Sequence, residues 1–115
     1  MEINKFASEK GYKVYQENDL PKDVVKDIKL KINGYNFIDK AYLLKKNYLE
    51  NSYEYELLVI TKNNEYSFKD LMKMQLDLKM TVISYPDYII EFNVGYDSKK
   101  FDKYIEKNEI KNLVE

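Results

Sequence analysis

The chain predicts an α+β fold: a two-layer sandwich in which a four-stranded, mainly antiparallel sheet carries two helices on one face, followed by a short C-terminal helix. Three observations predict it. Two segments place apolar residues at helical spacing behind helix-start residues. Four shorter segments alternate or run continuously apolar, as strands do. Their order is β-α-β-β-α-β, the order of a ferredoxin-like split βαβ domain. A chain of 115 residues suits a single domain spanning 1–115.

Residues 1–10 are polar around Ile3 and Phe6 and read as a flexible tail or a short helix. After Gly11, Tyr12–Gln16 reads as the first strand. Asp19 is placed to cap a helix, Pro21 is preorganised for its first turn, and Val24, Val25, Ile28 and Ile32 recur on one face. Asn33-Gly34 stops it, so the first helix is expected over Leu20–Asn33. Phe37–Lys46 and Tyr53–Thr61 read as two strands joined by the polar link Asn47–Ser52. Leu57–Ile60 is continuously apolar, as in a strand covered on both faces.

The second helix has the strongest start signal. Ser67 is an N-cap with Asp70 three residues on, and Tyr66 can staple onto Leu71. Phe68, Leu71, Met72, Leu76, Met80 and Ile83 share a helical face, whereas Met74, Leu76, Leu78, Met80 and Val82 also alternate as in a strand. Propensity favours helix as far as Lys79, with residues 80–84 open to either state. Tyr88–Val94 alternates and ends at Gly95, and Phe101, Tyr104 and Ile105 suggest a third, short helix in the 98–115 tail. The expected core is Val24, Ile28, Ile32, Leu57, Val59, Leu71, Met72, Ile90 and Phe92.

Composition excludes several chemistries. With no His and no Cys, neither a Ser-His-Asp or Cys-His nucleophile, nor a disulfide, nor an ordinary zinc site can be built. No cofactor is expected, because glycine-rich phosphate loops and EF-hand loops are also absent from the sequence. All 19 basic residues are Lys, and the net charge of −1 leaves no nucleic-acid footprint. No apolar run approaches a membrane span and no leader pattern precedes Lys5-Phe6, so the expected compartment is the cytoplasm. The 12 Tyr, with many Lys, Asn and Ile, also fit AT-rich codon usage. The carboxylate pair Glu54 and Glu56, two apart on one strand face, reads as solvated surface, as do Glu50 with Glu54 and Asp87 with Glu91.

The segment Lys13 to Val94 resembles the C-terminal domain of the enhanced-serine-sensitivity (SseB-like) family. The features carrying the resemblance are Val14 ahead of Leu20-Pro21 and the helix after it, Ala41-Tyr42-Leu43, and Tyr55-Glu56-Leu57-Leu58-Val59-Ile60. The Tyr88–Val94 strand would close the domain. The resemblance implies a bacterial cytoplasmic protein and carries over no catalytic residue. The expected function is therefore a non-enzymatic protein-interaction module. A small immunity or antitoxin protein neutralising a toxin and a metal-independent enzyme using Asp, Glu, Tyr or Lys are the alternatives. Sheet alternation puts Tyr53 and Tyr55 on one face. Together with Tyr12 and Tyr15 they are the expected contact residues for a protein partner or a homodimer, on a sheet face left open by the helices. A metal titration tests the exclusion. Saturating Zn²⁺, Mn²⁺ or Ca²⁺, or a strong chelator, should leave the melting temperature unchanged, and a saturable rise with one metal would overturn it.

Overall fold

In a computed structural model, residues 13–49, 52–62, 66–95, 103 and 105–115 are described; the side chains of 13–14, 47–49 and 52–53 are not. The expected tail at 1–10 and the positions Tyr12, Phe101 and Tyr104 lie outside the described residues. The elements are β1 (Lys13–Gln16), α1 (Lys22–Ile32), β2 (Ile38–Leu49), β3 (Ser52–Thr61), α2 (Phe68–Ile83) and β4 (Ile90–Gly95), with helical residues also at 103 and 105–107. This is an α+β domain with a four-stranded mixed sheet. Among the described residues no helix is long and apolar enough to cross a membrane.

The element order is the expected one; the spatial order is not the ferredoxin-like one. The strands lie β1-β2-β3-β4. β1 pairs antiparallel with β2, β2 antiparallel with β3, and β3 parallel with β4. The reason lies in the middle strands. Ala41-Tyr42-Leu43-Leu44 of β2 is buried at every residue, like Leu57–Ile60 of β3. A strand buried on both faces belongs inside a sheet. The two strands so written are consecutive, so the β2–β3 hairpin occupies the centre. β1 and β4, which mix polar and apolar residues, take the edges.

Both helices pack on one face. Val24, Ile28 and Ile32 of α1 and Met74, Leu78 and Val82 of α2 share one cluster with Ala41, Leu43, Tyr55, Leu57, Val59 and Ile90. Ser67 caps α2 as expected, its Oγ accepting the N–H of Asp70 at 3.1 Å. α2 stays helical through Ile83, which settles residues 80–83 as helix. Its inward face differs from the expected one. Met72 is 49% exposed, and Met74 is fully buried in its place. At α1, Pro21 rather than Asp19 is the N-cap, and Asp19 is engaged elsewhere.

The other sheet face, expected to stay open, is closed over β2 and β3: Tyr42, Leu44, Lys46, Glu56, Leu58 and Ile60 are all buried. The C-terminal segment runs along β2 where β1 has ended. The Leu113 N–H donates to the Ala41 carbonyl at 2.8 Å, and the Ala41 N–H donates to Asn112 Oδ1 at 3.0 Å. Asn33 holds the same segment from α1, donating to the Leu113 carbonyl and accepting from the Glu115 N–H. Leu113 thereby reaches the helical core.

Two reciprocal latches join the helices. Tyr35, just after α1, donates to Asp77 of α2 at 2.5 Å, and Tyr85, just after α2, donates to Asp27 of α1 at 2.5 Å. Burial, then the hydrogen bond to Asp77, holds the Tyr35 hydroxyl up at about 12. The hydrogen bond to Asp27, then burial, does the same for Tyr85. A raised folded pKa means that this stabilisation is whole below the ordinary value of 10.0 and is lost as pH climbs through about 12. The double variant Y35F/Y85F should cost about 1 kcal/mol per latch near neutrality. Its urea stability should also fall less steeply than wild type across that alkaline window. Parallel pH profiles for the two proteins would show that the latches contribute nothing.

Candidate functional sites: a buried charge pair and an exposed helix face

Alternation along β2, β3 and β4 brings three charges to the face opposite the helices. Glu56 of β3 pairs laterally with Glu91 of β4, and Lys46 of β2 stands diagonal to Glu56. Lys46 Nζ lies 3.1 Å from Glu56 Oε1 and 2.7 Å from Glu91 Oε2. Lys46 is 0% and Glu56 1% exposed, while the Glu91 side chain is 42% exposed. Burial pushes the Glu56 carboxyl up; the charge and hydrogen bond of Lys46 pull against it without cancelling it. Glu56 Oε2 is buried without a hydrogen-bond partner, which accords with that direction. For Lys46 burial acts downward, but the hydrogen bond to Glu91 and the charge of Glu56 outweigh it, and its ammonium is held above the ordinary 10.5.

This corrects the reading of Glu56 as solvated surface, although its alternation with Tyr55 is as expected. A carboxylate two residues from a buried Leu gives no sign of its own burial; the only hint is that Leu57–Ile60 demands cover on both faces. Glu91, read with Asp87 as solvated surface, is instead paired with Lys46, and Lys46 itself was not singled out, because nothing next to it in sequence marks it. Among the described residues no group of three or more Asp or Glu is gathered to hold a metal ion.

Of the four tyrosines, Tyr15 and Tyr55 have described side chains. Tyr15, Lys45 and Tyr55 sit in one lateral row across β1, β2 and β3. Tyr15 is 43% exposed, but Tyr55 is only 9% exposed and belongs to the helical core. Its hydroxyl donates to Asp19 Oδ1 at 2.6 Å, and Lys45 reaches Asp19 Oδ2 at 2.6 Å. The hydrogen bonds of Lys45 and Tyr55 lower the Asp19 carboxyl. Burial, then Asp19, raises the Tyr55 hydroxyl. The Tyr53 side chain and the whole of Tyr12 lie outside the described residues.

The face expected on α2 is split: Leu71 packs partly buried against the core, and the other five residues are exposed. Phe68, Met72, Leu76 and Met80 fall at every fourth residue, with Ile83 on the same side. They are 77%, 49%, 64%, 56% and 56% exposed. The core-facing Met74, Leu78 and Val82 fill a different side. α2 is thus apolar on two faces, and the fold buries only one. At its C-terminal end the exposed stripe meets a groove of about 300 Å³ between α2 and β4, lined by Val82, Ile83, Ile90 and Phe92 and rimmed by Lys79, Glu91 and Asn93.

No family model matches the chain, and no curated protein matches it. The chain offers an α+β fold, a buried Lys46–Glu56 pair with the part-exposed Glu91 at its rim, and an open apolar helix face.

The charge cluster makes a stability prediction. Lys46→Met strands the Glu56 charge in the interior and should cost about 3–5 kcal/mol. The double variant K46M/E56L removes both charges and should recover most of that loss. Urea denaturation of the single and double variants measures it; a double variant no more stable than the single would mean the cluster is not an isolated charge pair.

Proposed function

We propose that this domain is a non-enzymatic protein-interaction module and that it docks its partner on the outer face of α2. The carrying observation is the stripe Phe68, Met72, Leu76, Met80 and Ile83, each about half exposed or more at helical spacing. Scattered exposed apolar residues need no explanation, but a contiguous stripe four turns long is a docking feature of helices. Two Met and one Phe suit a surface that fits itself to a partner. The reading agrees with a bacterial cytoplasmic interaction domain, which the resemblance to the enhanced-serine-sensitivity family also suggests. It moves the contact surface from the tyrosines to α2, because Tyr55 serves the interior of its own chain. The rival reading as a metal-independent enzyme would rest on Lys46, Glu56 and Glu91. Lys46 and Glu56 are closed to any substrate, which favours a structural role for them.

The test uses charge insertion. L76E/M80E should fold with a melting temperature within a degree or two of wild type, since both positions are exposed. It should lose the protein partners that wild type retains in native extract. Leu30→Glu on α1, at another exposed apolar position, is the control and should retain them. Equal capture by all three proteins would refute α2 as the docking face.

A further inference from the structure

We propose that the outer edge of β4 pairs antiparallel with β4 of a second copy of this chain, so that two sheets join into one. The site is the sheet edge, and the inference does not depend on the docking face of α2. β4 pairs parallel with β3 in a register that runs unbroken from Tyr55 against Ile90 to Ile60 against Gly95. The Tyr55 N–H donates to the Ile89 carbonyl at 2.9 Å. In a parallel ladder, alternate residues turn both backbone groups to the same neighbour. Ile89, Glu91, Asn93 and Gly95 therefore bond toward β3, and the N–H and C=O groups of Ile90, Phe92 and Val94 point away from it. No described strand lies on that side. The groove of about 300 Å³ lies there instead. It touches four consecutive residues of β4, Ile90 to Asn93, with Lys79, Val82 and Ile83 of α2 and no residue of β3.

A row of open backbone donors and acceptors selects an extended strand, because neither a helix nor a lipid has main-chain groups to offer it. Sheet edges are usually blunted by Lys, Pro, a bulge or a covering segment. The other edge of this sheet is: β1 has four residues, begins with Lys13, and meets the C-terminal segment at its end, where the Lys111 N–H donates to Gln16 Oε1 at 2.7 Å. β4, Ile-Glu-Phe-Asn-Val-Gly, contains no Lys, no Pro and no register shift. It also matches itself. A two-fold centred on Phe92 uses every outward residue, opposing Phe92 to Phe92 and Ile90 to Val94, and each such pair exchanges both hydrogen bonds. The same register sets each Glu91 opposite an Asn93, whose amide can donate to it. Centring on Glu91 would set two carboxylates side by side, and centring on Asn93 would leave Ile90 without an outward partner. With Phe92 at the centre, the Phe92 ring of the second copy enters the groove beside Val82 and Ile83. Lys79 at the rim is long enough to turn its ammonium to water.

The test uses the full chain. One strand edge is a small contact, so sedimentation across a concentration series up to about 1 mM should show a reversible monomer–dimer equilibrium. Amide exchange read by NMR should slow at Ile90 and Phe92 as the dimer fills, by about tenfold once about nine-tenths of the chains are paired. Glu91 and Asn93, bonded to β3, should stay protected at every concentration. The chain has no Cys, so a single introduced thiol reports the register. Under mild oxidation Phe92→Cys should form a disulfide dimer, because opposed hydrogen-bonded residues stand about 5.5 Å apart at Cα, within disulfide reach. Glu91→Cys and Asn93→Cys should not. Exchange is read on the unaltered protein, so it decides the matter even where a Cys variant fails to fold. A strict monomer at about 1 mM, a dimer whose Ile90 and Phe92 amides exchange as fast as in the monomer, or cross-linking at 91 or 93 in place of 92 would overturn the proposal. A dimer that L76E/M80E abolishes, with no protection at those amides, belongs to α2 and counts against it.

Discussion

The middle of the β2–β3 hairpin, Ala41–Leu44 and Leu57–Ile60, has no face for solvent, and the rest of the molecule is arranged around that condition. Ala41–Leu44 and Leu57–Ile60 stand side by side in register, from Ala41 against Val59 to Leu43 against Leu57. Their alternate side chains meet α1 and α2 on one side and are buried on the other as well. A hairpin of this kind gains apolar burial twice per residue pair, but only from the middle of a sheet. The short β1 and the six-residue β4 fill the two edges. The C-terminal segment completes the β2 edge that β1 is too short to cover.

A closed second face also explains why a charge cluster survives there. Lys46 and Glu56 lie at the end of the hairpin where polar residues take over from Leu44 and Leu58. Their mutual attraction offsets desolvation without making the pair a clear source of stability. Its service is directional. A slip of one residue between β2 and β3 would turn Lys46 to the helical face and leave Glu56 buried without its partner. The Tyr35–Asp77 and Tyr85–Asp27 latches act likewise between the helices, where each hydroxyl is satisfied only at one relative position of α1 and α2.

With the middle of β2 and β3 buried on both faces, the exposed apolar residues that line up among the described residues are on a helix. The expectation of an exposed tyrosine sheet face assumed that two helices cover one layer and nothing covers the other. The burial of Tyr42, Leu58 and Ile60 removes that premise. α2 carries more apolar residues than its contact with β3 and β4 can absorb, and the excess is ordered into a stripe.

Local chemistry was legible in the residues themselves. The Ser67 cap, the Val24, Ile28 and Ile32 face and the turn at Asn33-Gly34 act over a few residues, so their spacing predicts the elements. The element order and the absence of His and Cys, with the chemistry that absence excludes, were legible too. Which strands lie in the centre was written in Ala41–Leu44 as well as Leu57–Ile60, but it becomes plain only when both runs are seen to need cover on two faces. Other features had no local mark. Whether Met72 or Met74 of α2 turns inward, whether Glu56 is solvated, and which acids meet Lys46 depend on contacts between residues far apart in sequence. Those contacts exist only once the sheet is assembled, because an apolar stripe states that a face can be buried, and only the packed neighbours decide whether it is.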